Sequence, residues 1–355
     1  MCKVLIMSKM LHFKSGRFFF ILTIFLVSFS AKAQDIHNSQ FWLNPIGLNP
    51  AAAGFFHGNV RFGGYNRTQW RAITDKPFQT NGLCFDMPIA KRPNKRDLFG
   101  FGLLLDYDQT GDSKYTTIDA NTMFSYAHSL NYRNNNFLMG GISLGCVQRS
   151  WDYTKLSFDE QFTDGFYDPK SPITETFTES NIWYLDCGVG LQWFYQPAYN
   201  EFYQAGFSIY HLNRPKISML SDAEIRLDLR CVFHAITSIS INDENAIIPA
   251  AYLSFQKQYR EIIFGAAYSH QLPMDIKGFL NKVNTGAYFR WRDALFLTAG
   301  MDFRQCSFSI AYDFNVSRLK PASHVRGGVE ISVLYIVKKQ KIRRIVPIPC
   351  TPFDK

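Results

Sequence analysis

Residues 306–316 read Cys306-Ser307-Phe308-Ser309-Ile310-Ala311-Tyr312-Asp313-Phe314-Asn315-Val316. Phe308, Ile310, Tyr312, Phe314 and Val316 fall on one side of an extended chain; Ser307, Ser309, Ala311, Asp313 and Asn315 fall on the other. Successive side chains of a strand point to opposite faces, so the stretch predicts a strand whose faces meet different environments. Trp183 to Trp193 repeats the pattern: Trp183, Leu185, Cys187, Val189, Leu191 and Trp193 oppose Asp186, Gly188, Gly190 and Gln192. Tryptophan at both ends of the apolar row suits aromatic girdles at two membrane interfaces.

Working outward, similar segments lie near 59–67, 78–88, 98–108, 115–129, 137–149, 181–194 and 201–213. The series continues near 226–241, 247–257, 261–270, 282–291, 295–304, 306–316 and 326–337. An even set of about 14 strands, most close to the ~9–11 residues a tilted strand needs to cross a bilayer, predicts an all-β transmembrane antiparallel up-and-down barrel over residues 59–337. Connectors as short as Asn242-Asp243-Glu244-Asn245 and Arg304-Gln305 fit hairpins of a meander. No long helical periodicity interrupts the series.

A soluble β-sandwich also alternates, but its polar face looks to bulk water and is rich in Lys and Glu. Here the polar face mixes Gly, Ser and Asn with Asp86, Asp106, Asp119, Asp186, Asp228, Arg230, Arg290, Asp302, Arg304 and Asp313. Acids and bases that can pair suit a lumen. Aromatics make up 16% of the chain, with 33 Phe, yet no apolar run after the first thirty-odd residues approaches a spanning helix. A membrane-crossing chain without such helices is left with a closed barrel.

Those first residues read as an export leader. Lys3, Lys9, Lys14 and Arg17 precede an apolar stretch from Phe18 to Phe29, and Ala31-Lys32-Ala33 supplies a small-x-small cleavage site. The expected signal peptide is 1–33, with the mature chain starting at Gln34. The net charge of +9 includes five Lys/Arg of the leader, leaving +4, which gives no reason to expect nucleic acid as a partner. Beyond the leader, which holds Cys2, the cysteines Cys84, Cys146, Cys187, Cys231, Cys306 and Cys350 are widely spaced without a C-x-x-C, so no zinc site is expected. Both barrel ends are expected on the periplasmic side of an outer membrane. Connectors 67–77, 150–180 and 214–225 then face outward, and 271–281 is a long inner turn.

Between leader and barrel, residues 34–58 form a separate plug-like periplasmic segment. It holds Gln40-Phe41-Trp42-Leu43-Asn44-Pro45-Ile46-Gly47-Leu48-Asn49-Pro50-Ala51-Ala52-Ala53-Gly54. Two Asn-Pro pairs five residues apart exclude a regular helix or a central strand and favour turns. Arg67, Gln69 and Trp70 stand at the end of the first strand. This combination resembles the PorP/SprF family of type IX secretion system membrane proteins of the Bacteroidetes. That family shows Q-x-x-x-N-P-x-x-x-N-P-A-x-A-G and then R-x-Q-W. Gln40, Asn44, Pro45, Asn49, Pro50, Ala51, Gly54, Arg67, Gln69 and Trp70 stand at its motif positions, and Ala52 departs from the usual aromatic. A basic tail, 338–355, ends Pro349-Cys350-Thr351-Pro352-Phe353, similar to the family's Cys-Pro-x-Phe-like tail with one residue inserted.

The resemblance implies a non-enzymatic outer-membrane component that assists export or surface anchoring of secreted proteins such as adhesins, with a link to gliding. Its partners would be proteins carrying C-terminal sorting domains, or periplasmic ring components of the system. The alternative is a porin or uptake channel for a small solute. The motif residues read more readily as shaping the fold than as touching a partner.

Enzymatic readings are weaker. Ser129 beside His128 and Ser269 beside His270 are neighbours on strands and point to opposite faces, so no local nucleophile–base pair forms. His57, His211, His234 and His324 are scattered, the acidic 150–180 loop has no regular calcium spacing, and no cofactor is expected. Gly100-Phe101-Gly102 and Gly140-Gly141 lie inside strands, as lumen-facing or tightly bent positions rather than phosphate loops.

Overall fold

A computed structural model describes residues 35–338, except 72, 92–95, 112, 164–165, 169–170, 172–179, 199, 219–224, 273–279 and 318–319. Residues 1–35 form a unit of their own, of which Asp35 alone is described; the rest of the chain is a second unit. The leader and Cys350 therefore lie outside the described residues.

Alternation becomes a closed wall of fourteen antiparallel strands. The first five are β1 (Val60–Gln69), β2 (Phe78–Lys91), β3 (Asp97–Thr110), β4 (Tyr115–Ser129) and β5 (Asn136–Ser150). The connection after β5 carries a small ribbon, β6 (Phe162–Thr163) with β7 (Phe166–Tyr167). The wall resumes with β8 (Asn181–Ala198), β9 (Glu201–Tyr210), β10 (Arg230–Ser240), β11 (Asn245–Gln256) and β12 (Tyr259–Gln271). It ends with β13 (Lys282–Arg290), β14 (Ala294–Phe303), β15 (Cys306–Asn315) and β16 (Arg326–Val337). Each wall strand pairs with its neighbours in sequence, and β1 pairs with β16, Val60 opposite Val337, so no edge is left. We call the mouth where β1 begins and β16 ends the near mouth, and the opposite one the far mouth. The long connections 151–180 and 211–229 are both at the far mouth.

The register sends Leu83, Leu103, Leu105, Leu144, Trp183, Leu185 and Leu191 outward, where they stay exposed, while Asp86, Asp106, Ser143, Asp186 and Gln192 are buried inside. An apolar exterior around a lumen that holds the polar side chains is what a barrel in lipid needs. Trp183 and Trp193 lie toward opposite ends of β8 on the outward face, and Trp193 Nε1 donates to Asn136 Oδ1 at 2.9 Å. Among the described residues no helix is long and apolar enough to cross a membrane.

Two strand boundaries differ from the alternation. β9 stops at Tyr210 because His211 takes φ +61, and β10 starts only at Arg230. Between them the chain turns back: Leu227 N–H donates to Pro215 O and Ile217 N–H to Ile225 O. Leu227 is buried against Val147 and Tyr184, with Ile217 beside it. Apolar residues that cover the lumen thus imitate the start of a strand. For the same reason Asp228 belongs to this connection, paired with Arg214 at 3.1 Å. Arg304 is not a wall residue either; it forms the β14–β15 turn with φ +47.

Candidate functional site: the entry segment in the lumen

The two Asn-Pro pairs build two short helical turns, Pro45–Leu48 and Pro50–Ala52. In each, Asn is the cap and Pro the first helical residue, the position where a missing N–H costs nothing. Asn44 Oδ1 accepts from Gly47 N at 3.1 Å, and Asn49 Oδ1 from Ala51 N at 2.9 Å. The side chain of Asn49 also donates to Leu191 O at 3.0 Å and to Phe207 O at 3.3 Å, tying the second turn to the wall.

The segment crosses the bore. On one side Phe41 and Leu48 pack with Val232, Ile236, Tyr252, Ile263, Tyr288 and Phe296 of β10 to β14. On the other, Ile46 and Ala53 pack with Cys84, Leu104 and Met123 of β2 to β4, and Ala51 with Ala127 and Met139. Trp42 lies 4.6 Å from Tyr288, ring to ring.

Near the far ends of the strands the segment meets buried charge. Arg67, Asp313, Glu330, Arg290 and Glu261 are each under 5% exposed. Glu330 accepts from Ser39 N at 2.7 Å and Gln40 N at 2.9 Å. Ser39 Oγ accepts from Arg67 Nη1 at 2.8 Å and Arg290 Nη2 at 2.6 Å, and donates to Asp313 Oδ1 at 2.9 Å. Arg67 pairs with Asp313 at 2.9 Å and Glu330 at 3.3 Å, and Arg290 with Glu261 at 3.2 Å. Out of water such charges persist only when paired and hydrogen-bonded, and the Ser39 hydroxyl completes the set.

Closer to the near mouth the fit is steric. A Cβ on Gly100 would collide with Ala53 O, and one on Gly141 with Ala51 N. Only glycine lets the segment's backbone lie this close to the wall. Gly54 has φ +67 and donates its N–H to Asp86 Oδ2 at 2.7 Å. Asp86 in turn pairs with Arg61 at 2.7 Å, and Arg61 Nη2 donates to Ala52 O.

The structure thus brings Gln40, Asn44, Pro45, Asn49, Pro50, Ala51, Gly54 and Arg67 into one buried assembly. Gln69 joins it: with its amide oxygen turned to the guanidinium, it accepts from Arg67 Nη2 at 2.6 Å. Trp70 does not. It follows β1 with φ +65, and its carbonyl accepts from Ile73 N–H at 2.9 Å. Sequence reasoning missed Glu330, Asp86 as a partner of Gly54, and Arg61. An acid inside the apolar run Gly328-Val329-Glu330-Ile331, on the inward register, was the available signal for Glu330. The His–Ser neighbours form no dyad: His128 Nδ1 lies 2.8 Å from Asp97 while Ser129 Oγ donates to Asn131 O, and His270 lies 2.8 Å from Asn245.

Beneath the segment, toward the near mouth, lies a cavity of about 1090 Å³. Trp42, Phe55, Phe137, Phe194, Phe202 and Tyr288 supply rings, and Gln204, Lys282, Asn284 and Asp302 supply polar groups.

A closed wall with an apolar exterior, its bore filled by its own N-terminal segment, defines an outer-membrane β-barrel protein. The chain belongs to the family of type IX secretion system membrane proteins PorP/SprF, whose model matches residues 30–335. No curated protein matches it in sequence. Among solved structures it is similar to the Ralstonia pickettii toluene transporter TbuX, at 11% identity and TM-score 0.48, over 82% of this chain and 92% of that one. The CymD monoaromatic hydrocarbon channel gives 13% and 0.48 over 84% and 93%, and a Pseudomonas aeruginosa FadL homologue 11% and 0.46 over 81% and 92%. These are distant likenesses between barrels.

Proposed function

We propose that the protein is a non-enzymatic component of the type IX system that assists export or surface anchoring of secreted proteins, adhesins among them. The near mouth is its periplasmic face and residues 34–58 its plug, exposed by removal of leader 1–33. The observation that carries this reading is the entry segment itself, held to the wall at both ends and packed against opposite sides of the bore. A segment packed and anchored in this way fits a barrel that works through bound proteins better than one that works as an open pore. Partners are then met at the two mouths, with sorting-domain proteins and periplasmic ring components as the candidates.

A second reading, uptake of a small apolar solute, is favoured by the ring-lined cavity alone. Purification of the tagged mature protein from its own outer membrane in mild detergent tests the two. Co-purification of a sorting-domain protein or ring components supports the export role. A partner-free barrel that conducts ions in a planar bilayer overturns it in favour of the channel.

A further inference from the structure

The near-mouth cavity has a ring-lined interior and a polar rim, and the entry segment closes it toward the far mouth. Its volume, about 1090 Å³, lies just above the roughly 300–1,000 Å³ of small-molecule sites, which suits a short peptide. Two further features say which peptide. The last described strand delivers the chain to this mouth: Val337 pairs with Val60, and Asn59 N–H donates to Val337 O at 2.8 Å. The sequence then continues as a basic run and as Val346-Pro347-Ile348-Pro349-Cys350-Thr351-Pro352-Phe353, apolar and rich in proline. Proline-rich segments dock into aromatic-lined grooves, because their extended form is set before binding and loses little entropy there.

We propose that the cavity is the docking site of the chain's own residues 346–353, with Cys350 and Phe353 among the rings. The reach is sufficient. Fourteen strands ~4.8 Å apart and tilted ~40° put the barrel axis on the order of 14 Å from the wall. The residues between Lys338 and Val346 span up to roughly 27 Å when extended. Tethering also favours this occupant over a free peptide, since a short linker gives an effective concentration in the millimolar range.

The full-length protein carrying a photo-crosslinking benzoylphenylalanine in place of Phe353 tests the proposal in detergent and in whole cells. Crosslinks within the chain, to peptides holding Phe137, Phe194, Phe202 or Tyr288, are expected in both. Crosslinks to a different protein in cells, or none to the cavity strands, overturn it. A second measurement uses the synthetic peptide of residues 346–353 with a chain ending at Arg344. The shortened barrel is expected to bind the peptide at least tenfold more tightly than the full-length one, with heat-modifiable migration confirming that both are folded. Equal binding to the two chains, or binding to neither, overturns it.

Discussion

At Ser39 and Gln40 the entry segment is gripped by charge, with two arginines and two acids of β1, β13, β15 and β16 converging on one hydroxyl and two amides, and Glu261 of β12 pairing with Arg290 behind them. At Ala51 to Gly54 it is gripped mostly by what the wall lacks, since Gly100 and Gly141 leave room for backbone against backbone. The first grip is strong but depends on every member being present, because an unpaired buried charge is worth several kcal/mol of instability. The second is a matter of shape, and each added methyl group costs a smaller amount. One segment is thus fixed by two mechanisms that should fail differently.

Cys84 offers a natural reporter of that difference. It is buried in the lumen beneath Ile46 and Ala53, so its alkylation depends on departure of the segment. Arg67→Met should have the largest effect, about 3–5 kcal/mol, because it leaves the buried Glu330 without a cation and Asp313 with Arg290 alone. The urea midpoint of the barrel should fall and Cys84 should react rapidly; adding Glu330→Gln should restore part of the loss. Ser39→Ala removes a hydroxyl bonded to three charged groups and should cost about 1.5–3 kcal/mol. If instead it is silent, the charges pair well enough among themselves and the hold at that end rests on the two backbone N–H groups that Glu330 accepts from. Gly141→Val should cost about 1–3 kcal/mol and raise Cys84 labelling at least fivefold. Its neighbour Gly140, where an added Cβ meets nothing within 4 Å, serves as the control: Gly140→Ala should leave labelling unchanged. The smallest change belongs to Asn49→Ala, about 1 kcal/mol, because the wall carbonyls it reaches also belong to the β8–β9 ladder. Its signature should be faster labelling with little shift of the urea midpoint.

Much of the wall was legible because alternation is local. A run such as Phe308, Ile310, Tyr312 and Phe314 declares its outward face without reference to the rest of the chain. Alternation misleads where an apolar residue serves another purpose, as Leu227 does in covering the lumen. The entry segment was legible in part for the same reason: each Asn caps a turn that its own Pro begins. What the segment touches was not. Ser39 meets Glu330 across 291 positions, and no local pattern says which inward acid closes over which amide. Arg67 carried a hint, as the motif places it one strand after the segment, yet its partners Asp313 and Glu330 lie on the last two strands. Gly100 and Gly141 were visible as inward or bent positions, whereas the backbone that fills their space comes from elsewhere.

The pairing of β1 with β16 sets an order of events. The wall is complete only when the last strand synthesised meets the first, and Ser39 and Gln40 are held by Glu330 of that same last strand. Residues 37–40 lie toward the far ends of the strands, while the chain enters β1 from the near mouth. Once sealed, the ring would have to be threaded from that mouth by a chain bent back on itself. It is simpler for the open sheet to curl around a segment already lying across it, with Glu330 arriving as the clasp. Assembly of the barrel and enclosure of its contents are then a single act, and a chain whose segment strays should stall as an unclosed sheet rather than mature as an empty tube.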